Sequence, residues 1–277
     1  MELASPDAEQ RYDALLASAP GLVVACDFDG TLSPIVDDPT RAFIHPEARE
    51  VLTALAPKVL AIAIVTGRPA RQVVELGGLE EIGDAVAAAG RELHVFGQYG
   101  NERWSSGDRT VTGPPPPEGL ATFVAELPRT LAAADAADAW VEEKGLAVAV
   151  HTRRLPDPEA AFERLLPLLR EQADAHDLIV EPGRNVVEVR AAGMDKGLVV
   201  DRLIGELGAR AFLFAGDDLG DVHAFETVRA HAENGLATLL VCSASEEQPA
   251  LVALADVVVP GPDGVLELLR RLAADIG

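Results

Sequence analysis

Polar residues suited to chemistry stand at four places in this chain: Asp27-Phe28-Asp29-Gly30-Thr31, Thr66-Gly67-Arg68, Lys196 at the head of a helical stretch, and Gly216-Asp217-Asp218-Leu219-Gly220-Asp221. Singly, each has an ordinary use, since an acid before glycine makes a turn and an aspartate after a strand caps a helix. Together they describe a site. In open α/β sheets ligands bind beyond the carboxyl ends of the strands, and three of these clusters end apolar, strand-like runs. Several carboxylates meeting there repel one another unless a hard cation joins them, and an all-oxygen set suits Mg²⁺. Asp27, Asp29 and Asp217 or Asp218 would hold it. The hydroxyl of Thr66, the ammonium of Lys196 and the loop N–H groups after Asp29 would then cradle a phosphoryl group. Phosphomonoester hydrolysis is among the slowest uncatalysed reactions, and a carboxylate nucleophile divides it into two easier steps.

The elements that must position these residues follow from the pattern of apolar runs. A short amphipathic helix over 7–18 precedes the strand LVVACDF; a helix over 46–56 precedes the strand 60–65, and the alternation continues through AVAAAG and LHVFGQYG. Runs that are apolar at every position fit strands buried on both faces, and strand alternating with helix predicts a parallel sheet with right-handed crossovers. The pattern breaks at GDRTVTGPPPPEG, where Pro114 to Pro117 exclude a helix or a central strand. Helices over 118–134 and 158–175, a strand over 146–152 and the short strands LIVEP and NVVEVR then make a compact α+β unit. After Met194 the first pattern resumes, with helices over 195–208, from about 221 and over 264–275, and the strands AFLFAG, ATLLVC and DVVVP between them. The expected organisation is an α/β core over 1–102 and 191–277, interrupted by an inserted domain over 103–190.

Composition sets the boundary conditions. The 277 residues are 48% hydrophobic, enough for a sizeable core, and 45 Asp+Glu against 23 Lys+Arg leave a net charge of −22. That charge argues against nucleic acid or an anionic membrane as partner, so an anionic substrate needs a local cationic pocket or a metal. Cys26 and Cys242 lie in strand-like runs without metal-ligand spacing and read as buried small hydrophobes. The N-terminal stretch has neither the basic nor the apolar region of a signal peptide, and no apolar run reaches membrane-spanning length, so a cytoplasmic protein is expected. No oligomeric state is assigned.

The ordered set Asp-x-Asp-Gly-Thr, strand-end Thr, Lys, Gly-Asp-Asp-x-x-Asp resembles the haloacid dehalogenase superfamily of phosphatases, over nearly the whole chain. The resemblance implies a Rossmann-like core with a cap of the superfamily's second (C2) type inserted between Thr66 and Lys196. It implies Asp27 as nucleophile, Asp29 as general acid and then base, and Thr66 and Lys196 as phosphoryl holders. Mg²⁺ would lie on Asp27, the Asp29 carbonyl and Asp217, with Asp218 and Asp221 as indirect metal contacts. Receiver domains share an Asp, a Thr and a Lys at strand ends, but they are much shorter, lack the insert and need no second acid such as Asp29.

A narrower likeness runs through DFDGTLSPIVDDP, VTGR, GQYGNER, WVEEKGLAVAVHTR, GRNVVEVR and GMDKG, which resemble, in order and spacing, segments of the trehalose-6-phosphate phosphatase family. This implies a phosphorylated disaccharide as substrate, with sugar contacts at Glu142, Lys144, Arg153, Arg184 and Glu188, and at Asn101 and Glu102 in the loop entering the insert. Charged groups read sugar hydroxyls without ambiguity. His151, without a metal partner at ligand spacing, reads as packed or exposed rather than catalytic. The chain departs from the family at Thr152, where Tyr is common, at Arg184, where Lys is common, and at Gly220-Asp221-Val222, where Thr-Asp-Glu is common. Arg and Lys bond differently, so a pseudo-disaccharide phosphate or a glucosylglycerate phosphate is the alternative substrate. Substrate bridging core and cap would favour a closed form, with hinges near 101–104 and 190–194.

Overall fold

A computed structural model of the chain describes residues 2–3, 7–36, 38–183, 185–193, 195–244 and 249–277. They form two compact units, Met1–Gly113 with Asp195–Gly277, and Pro114–Met194.

The strands are β1 (Glu2–Leu3), β2 (Leu22–Cys26), β3 (Ala61–Val65), β4 (Leu93–Gly97), β5 (Glu102–Ser105), β6 (Trp140–Glu143), β7 (Ala147–His151), β8 (Leu178–Gly183), β9 (Val186–Ala191), β10 (Ala211–Gly216), β11 (Ala237–Ser243) and β12 (Val257–Val259). The helices are α1 (Ala8–Ala17), α2 (Ala48–Leu55), α3 (Ala70–Gly77), α4 (Leu79–Ala88), α5 (Leu120–Ala133), α6 (Pro158–Asp174), α7 (Lys196–Leu207), α8 (Val222–Glu233), α9 (Pro249–Leu254) and α10 (Gly261–Asp275). No helix among the described residues is long and apolar enough to cross a membrane.

In the first unit one sheet runs β1-β12-β11-β10-β2-β3-β4-β5. Its interior pairs are parallel, and only β1 and β5, at the two edges, lie antiparallel to their neighbours. Alternation along each strand sends Val24, Cys26, Ile62, Ile64, Leu213 and Val241 to a face covered by α1, α2, α3, α4 and α10. Val23, Ala25, Ala63, Val65, Phe214 and Cys242 face α7, α8 and α9. Both faces are thus dry, which is why the strands read as unbroken apolar runs. This is the expected α/β class.

One element differs from its expectation. AVAAAG, taken to continue the alternation toward a strand, instead closes α4, with Gly90 in the left-handed region at φ 70° just beyond it. Four alanines in that stretch give strong helix propensity, with only one β-branched residue to oppose it.

The second unit has the antiparallel sheet β6-β7-β9-β8 with α5 and α6 on one face. Val148, Val150, Val187 and Val189 point to those helices. The period of two therefore turns Trp140, Glu142, Ala149, His151, Glu188 and Arg190 to the opposite face, where neighbouring strands bring Trp140 opposite His151 and Ala149 opposite Glu188.

Candidate active site

The parallel strands deliver their polar ends to one edge of the sheet. Asp27 directly follows β2, its N–H donating to the Ala215 carbonyl of β10 at 2.8 Å, and Thr66 directly follows β3, its N–H donating to Phe96 at 2.9 Å. Asp217 follows β10. Lys196 opens α7 behind the cap residue Asp195, whose carboxylate accepts the Leu198 N–H at 3.0 Å.

Asp27 and Lys196 meet in the interior. The Lys196 Nζ donates to Asp27 Oδ1 and to Asp221 Oδ1, both at 2.7 Å, and the three side chains are 4%, 7% and 0% exposed, for Lys196, Asp27 and Asp221 in turn. The other oxygen of Asp221 accepts the backbone N–H of Asp217 at 3.0 Å and of Asp218 at 3.3 Å, so this acid ties the lysine to the loop after β10. Gly216 leaves room for it: a Cβ there would come within 2.5 Å of the Asp221 carboxyl. Gly30 is constrained twice, by φ of 71° and by the Asp217 carboxylate, which would stand 2.1 Å from a Cβ. The turn around Gly30 is closed by its N–H to Ser33 at 2.7 Å and by the Ser243 hydroxyl donating to its carbonyl at 2.6 Å.

One carboxylate oxygen from each of Asp27, Asp217 and Asp221 lies within 4.8 Å of the others. Burial drives all three toward the neutral form. It raises Asp27 well above the carboxylate range, against the pull of Lys196, with Asp221, Asp218 and Asp29 adding to the rise. Burial, then the charges of Asp27, Asp218 and Asp221, push Asp217 up to about 10, and Asp221 rises for the same first reason despite Lys196. Burial opposes the charge on Lys196, yet the carboxylates of Asp221 and Asp27 outweigh it and hold the ammonium well above the usual lysine range. Three carboxylates against one ammonium leave two uncompensated negative charges when all are ionised, and the donors are hard oxygens. That is the deficit a divalent cation fills. The buried Thr31 hydroxyl, in the turn after Asp29, has no hydrogen-bond partner among the described residues.

Asp29 stands apart from the cluster. Its carboxylate is gripped by Arg68, with Nε donating to Oδ2 at 2.5 Å and Nη2 to Oδ1 at 2.7 Å, while Nη1 donates to the Pro39 carbonyl at 2.9 Å. The Thr66 hydroxyl accepts the Arg68 N–H at 3.1 Å. Asp218 is exposed, and its Oδ1 accepts the Gly220 N–H at 2.9 Å. Sequence reasoning gave Arg68 no role; the available signal was an arginine two residues beyond a strand-end threonine, in a chain whose second acid needs a partner.

The residues expected to contact sugar divide between the units. Glu102 accepts the Ala70 N–H at 2.6 Å and the Gln98 side-chain amide at 3.0 Å, and the Asn101 amide donates to the Gln98 carbonyl at 3.0 Å, so both brace the loop after β4. In the second unit Lys144 Nζ lies 2.5 Å from Glu188 Oε2, and the other oxygen of Glu188 is buried without a hydrogen-bond partner among the described residues. Glu142 Oε2 lies 3.0 Å from His151 Nε2; the imidazole stacks on Trp140 at 4.3 Å, and the Arg154 guanidinium sits 5.0 Å from the indole centre. Arg153 is exposed, and Arg184 lies outside the described residues. Thr152 is wholly buried, its hydroxyl donating to Asn185 at 3.3 Å.

The sequence model of the family described as trehalose-phosphatase matches residues 25–109 and 130–260. A trehalose 6-phosphate phosphatase of Zea mays is 31% identical over 283 residues, covering 97% of this chain and 74% of that protein. An uncharacterized glycosyl hydrolase of Mycobacterium tuberculosis is 34% identical over 237 residues, but this chain spans only 17% of its length. Among solved structures, the C-terminal domain of the C. albicans trehalose-6-phosphate phosphatase superposes with a TM-score of 0.75 at 20% identity, covering 99% of this chain and 98% of that one. A haloacid dehalogenase-like hydrolase from Bacteroides thetaiotaomicron does so with 0.62 at 16% identity, covering 90% and 98%. The fold is therefore haloacid dehalogenase-like, and a family match that takes in both the buried acid cluster and most of the insert makes this chain a phosphatase of the trehalose-phosphatase family.

Proposed function

We propose that the chain releases phosphate from trehalose 6-phosphate through a phosphorylated Asp27. The observation that carries this reading is the sealed Asp27–Lys196–Asp221 group at the ends of the parallel strands, in a chain of this family. Asp27 attacks phosphorus as the bond to the sugar oxygen breaks, and Asp29, entering protonated, gives its proton to the departing sugar. Asp29 then takes a proton from water as that water displaces Asp27 from phosphorus, releasing inorganic phosphate and restoring both acids. Lys196 and the Thr66 hydroxyl hold the phosphoryl oxygens, whose charge the ammonium offsets. Asp27 and Asp217, with the Asp29 carbonyl, are the groups that would hold Mg²⁺, which when bound neutralises charge on the transferring group. Arg68 grips the ionised carboxylate and so sets the direction of Asp29 as base in the second step; one of its two hydrogen bonds opens when Asp29 carries the proton of the first. In the insert, Lys144 with Glu188, and Glu142 held by His151, read the sugar hydroxyls; their mutual pairing supports this by fixing each group in one orientation.

The deciding measurement is Mg²⁺-dependent phosphate release from a panel of trehalose 6-phosphate, glucose 6-phosphate, sucrose 6-phosphate, glucosylglycerate phosphate and cyclitol-containing analogues. Trehalose 6-phosphate is expected to lead in kcat/KM. Turnover of another member with none of trehalose 6-phosphate would reassign the substrate, and no turnover of any would remove the reading.

Two further results are expected. Arg68→Lys keeps a positive charge but loses the two-pronged grip, so kcat should fall about 10- to 100-fold with KM little changed; an unchanged kcat would deny Asp29 its dependence on Arg68. The second concerns pH. Asp217 sits at about 10 in the folded protein against 3.8 as its ordinary value, so between these limits the folded state holds a proton that the unfolded chain does not. Metal-free stability therefore falls as pH rises through that window, and Mg²⁺, which competes with the proton, binds more tightly. The rise in melting temperature on adding Mg²⁺ should be larger at about pH 9 than at about pH 6, two points inside that window. An equal rise at both would contradict the cluster as the cation's seat.

A further inference from the structure

Gln98 and Tyr99, directly after β4, both carry left-handed backbone, with φ of 47° and 58°. Residues with side chains hold that conformation when their surroundings enforce it, and such residues gather at functional sites. Here the enforcement comes from the Thr66-Gly67-Arg68 loop. The Gln98 N–H donates to the Arg68 carbonyl at 2.8 Å and the Tyr99 N–H to the Thr66 carbonyl at 3.0 Å. From the far side, Glu102 fixes the Gln98 side chain at 3.0 Å and the Asn101 amide holds the Gln98 carbonyl at 3.0 Å. The flanking residues 97 and 100 are glycine, so a glycine at 99 would have been the relaxed choice. The side chain that stands there reaches Gly67. A Cβ at Gly67 would come 2.8 Å from both Cζ and Oη of Tyr99, so the phenol occupies the space a side chain at 67 would need.

We propose that Tyr99 is a positioning residue: its ring presses on Gly67 while its backbone and that of Gln98 hold the carbonyls on either side, fixing the Thr66 hydroxyl and the Arg68 grip on Asp29 as one piece. This rests on the roles given above to Thr66 and Asp29. The strained turn is the device that keeps the loop after β3 from relaxing. Asn101 and Glu102, expected at the sugar, act in this account as its outer brace.

Four variants test it: Tyr99→Gly, Tyr99→Phe, Gly67→Ala and the double variant Tyr99→Gly/Gly67→Ala. Tyr99→Gly should lower kcat about 10- to 100-fold with KM changed less than about threefold, the effect of a small misplacement of reacting groups. Its melting temperature should not fall, because glycine relieves the left-handed backbone. Tyr99→Phe keeps the ring and should restore most of the turnover. Gly67→Ala should cost turnover in the presence of Tyr99 and little more once Tyr99 is glycine, since the two side chains compete for one space. A crystal structure of Tyr99→Gly should find the Arg68–Asp29 grip displaced. Wild-type kcat in Tyr99→Gly, a loss in Tyr99→Phe as deep as in Tyr99→Gly, additive losses in the double variant, or an unmoved Arg68–Asp29 pair would each overturn the proposal. Absence of phosphate release by the unaltered protein would instead strike the roles of Thr66 and Asp29, and the crystallographic position of Arg68 reads the clamp in either event.

Discussion

Asp27→Asn should lower phosphate release by at least about 10⁴-fold, the scale on which loss of a nucleophile is felt. Asparagine is nearly the same shape, and its carbonyl oxygen can still accept from Lys196, so the geometry of the loop after β2 survives. What is lost is the anionic oxygen that attacks phosphorus. Stability should hold or rise slightly, because burial already works against the charge on Asp27 and the neighbouring acids add to that opposition. Phosphate release measured alongside circular dichroism and urea unfolding separates the two effects. A folded Asp27→Asn protein retaining a tenth of wild-type activity would exclude Asp27 as the group that is phosphorylated.

Lys196→Met should be the most destabilising single change in the site. Methionine fills much of the same volume, but it leaves Asp27 and Asp221 buried with no cation, and removing one partner of a buried pair costs about 3–5 kcal/mol. Because the ammonium is held above the usual lysine range, its contribution is complete throughout neutral pH and is lost only as pH rises past its folded value. The variant's acids must take protons to stay buried, so its deficit should grow with pH and shrink in acid. Urea unfolding at two pH values checks both magnitude and direction; a loss below about 1 kcal/mol, typical of an exposed pair, would mean the cluster is far wetter than its burial indicates. Turnover should fall as well, since no cation would then face the phosphoryl oxygens from α7.

How much of this could be read from the amino acids differs by residue. The places of Asp27 and Thr66 were legible because a strand buried on both faces leaves no ambiguity about where its polar end lies, and that of Lys196 because it heads a helical run. The parallel interior of the sheet followed from the same runs. The edges did not: β1 is two residues long, and β5 pairs backward through a turn that periodicity does not encode. Asp217 and Asp218 could not be told apart by spacing; Gly30 packs against the first, while the second turns outward to cap its own loop. The grip of Arg68 on Asp29 joins residues 39 apart in the chain and depends on β2 and β3 lying side by side in register. The pairing of His151 with Glu142 likewise needs the register of β6 against β7, which brings Trp140 opposite His151.

Asp221 is the only one of the three clustered acids with no exposed surface at all, and it has both oxygens engaged by donors from its own unit. Under the proposed mechanism Asp27 changes its bonding twice in every cycle, and each time its hold on the ammonium changes with it. An ion with one mooring would swing toward water at that moment. Lys196 has a permanent mooring and a working one: Asp221 takes no part in the bond changes, so the ammonium stays at its station while Asp27 is occupied, and the second half of the cycle starts from the geometry in which the first half ended.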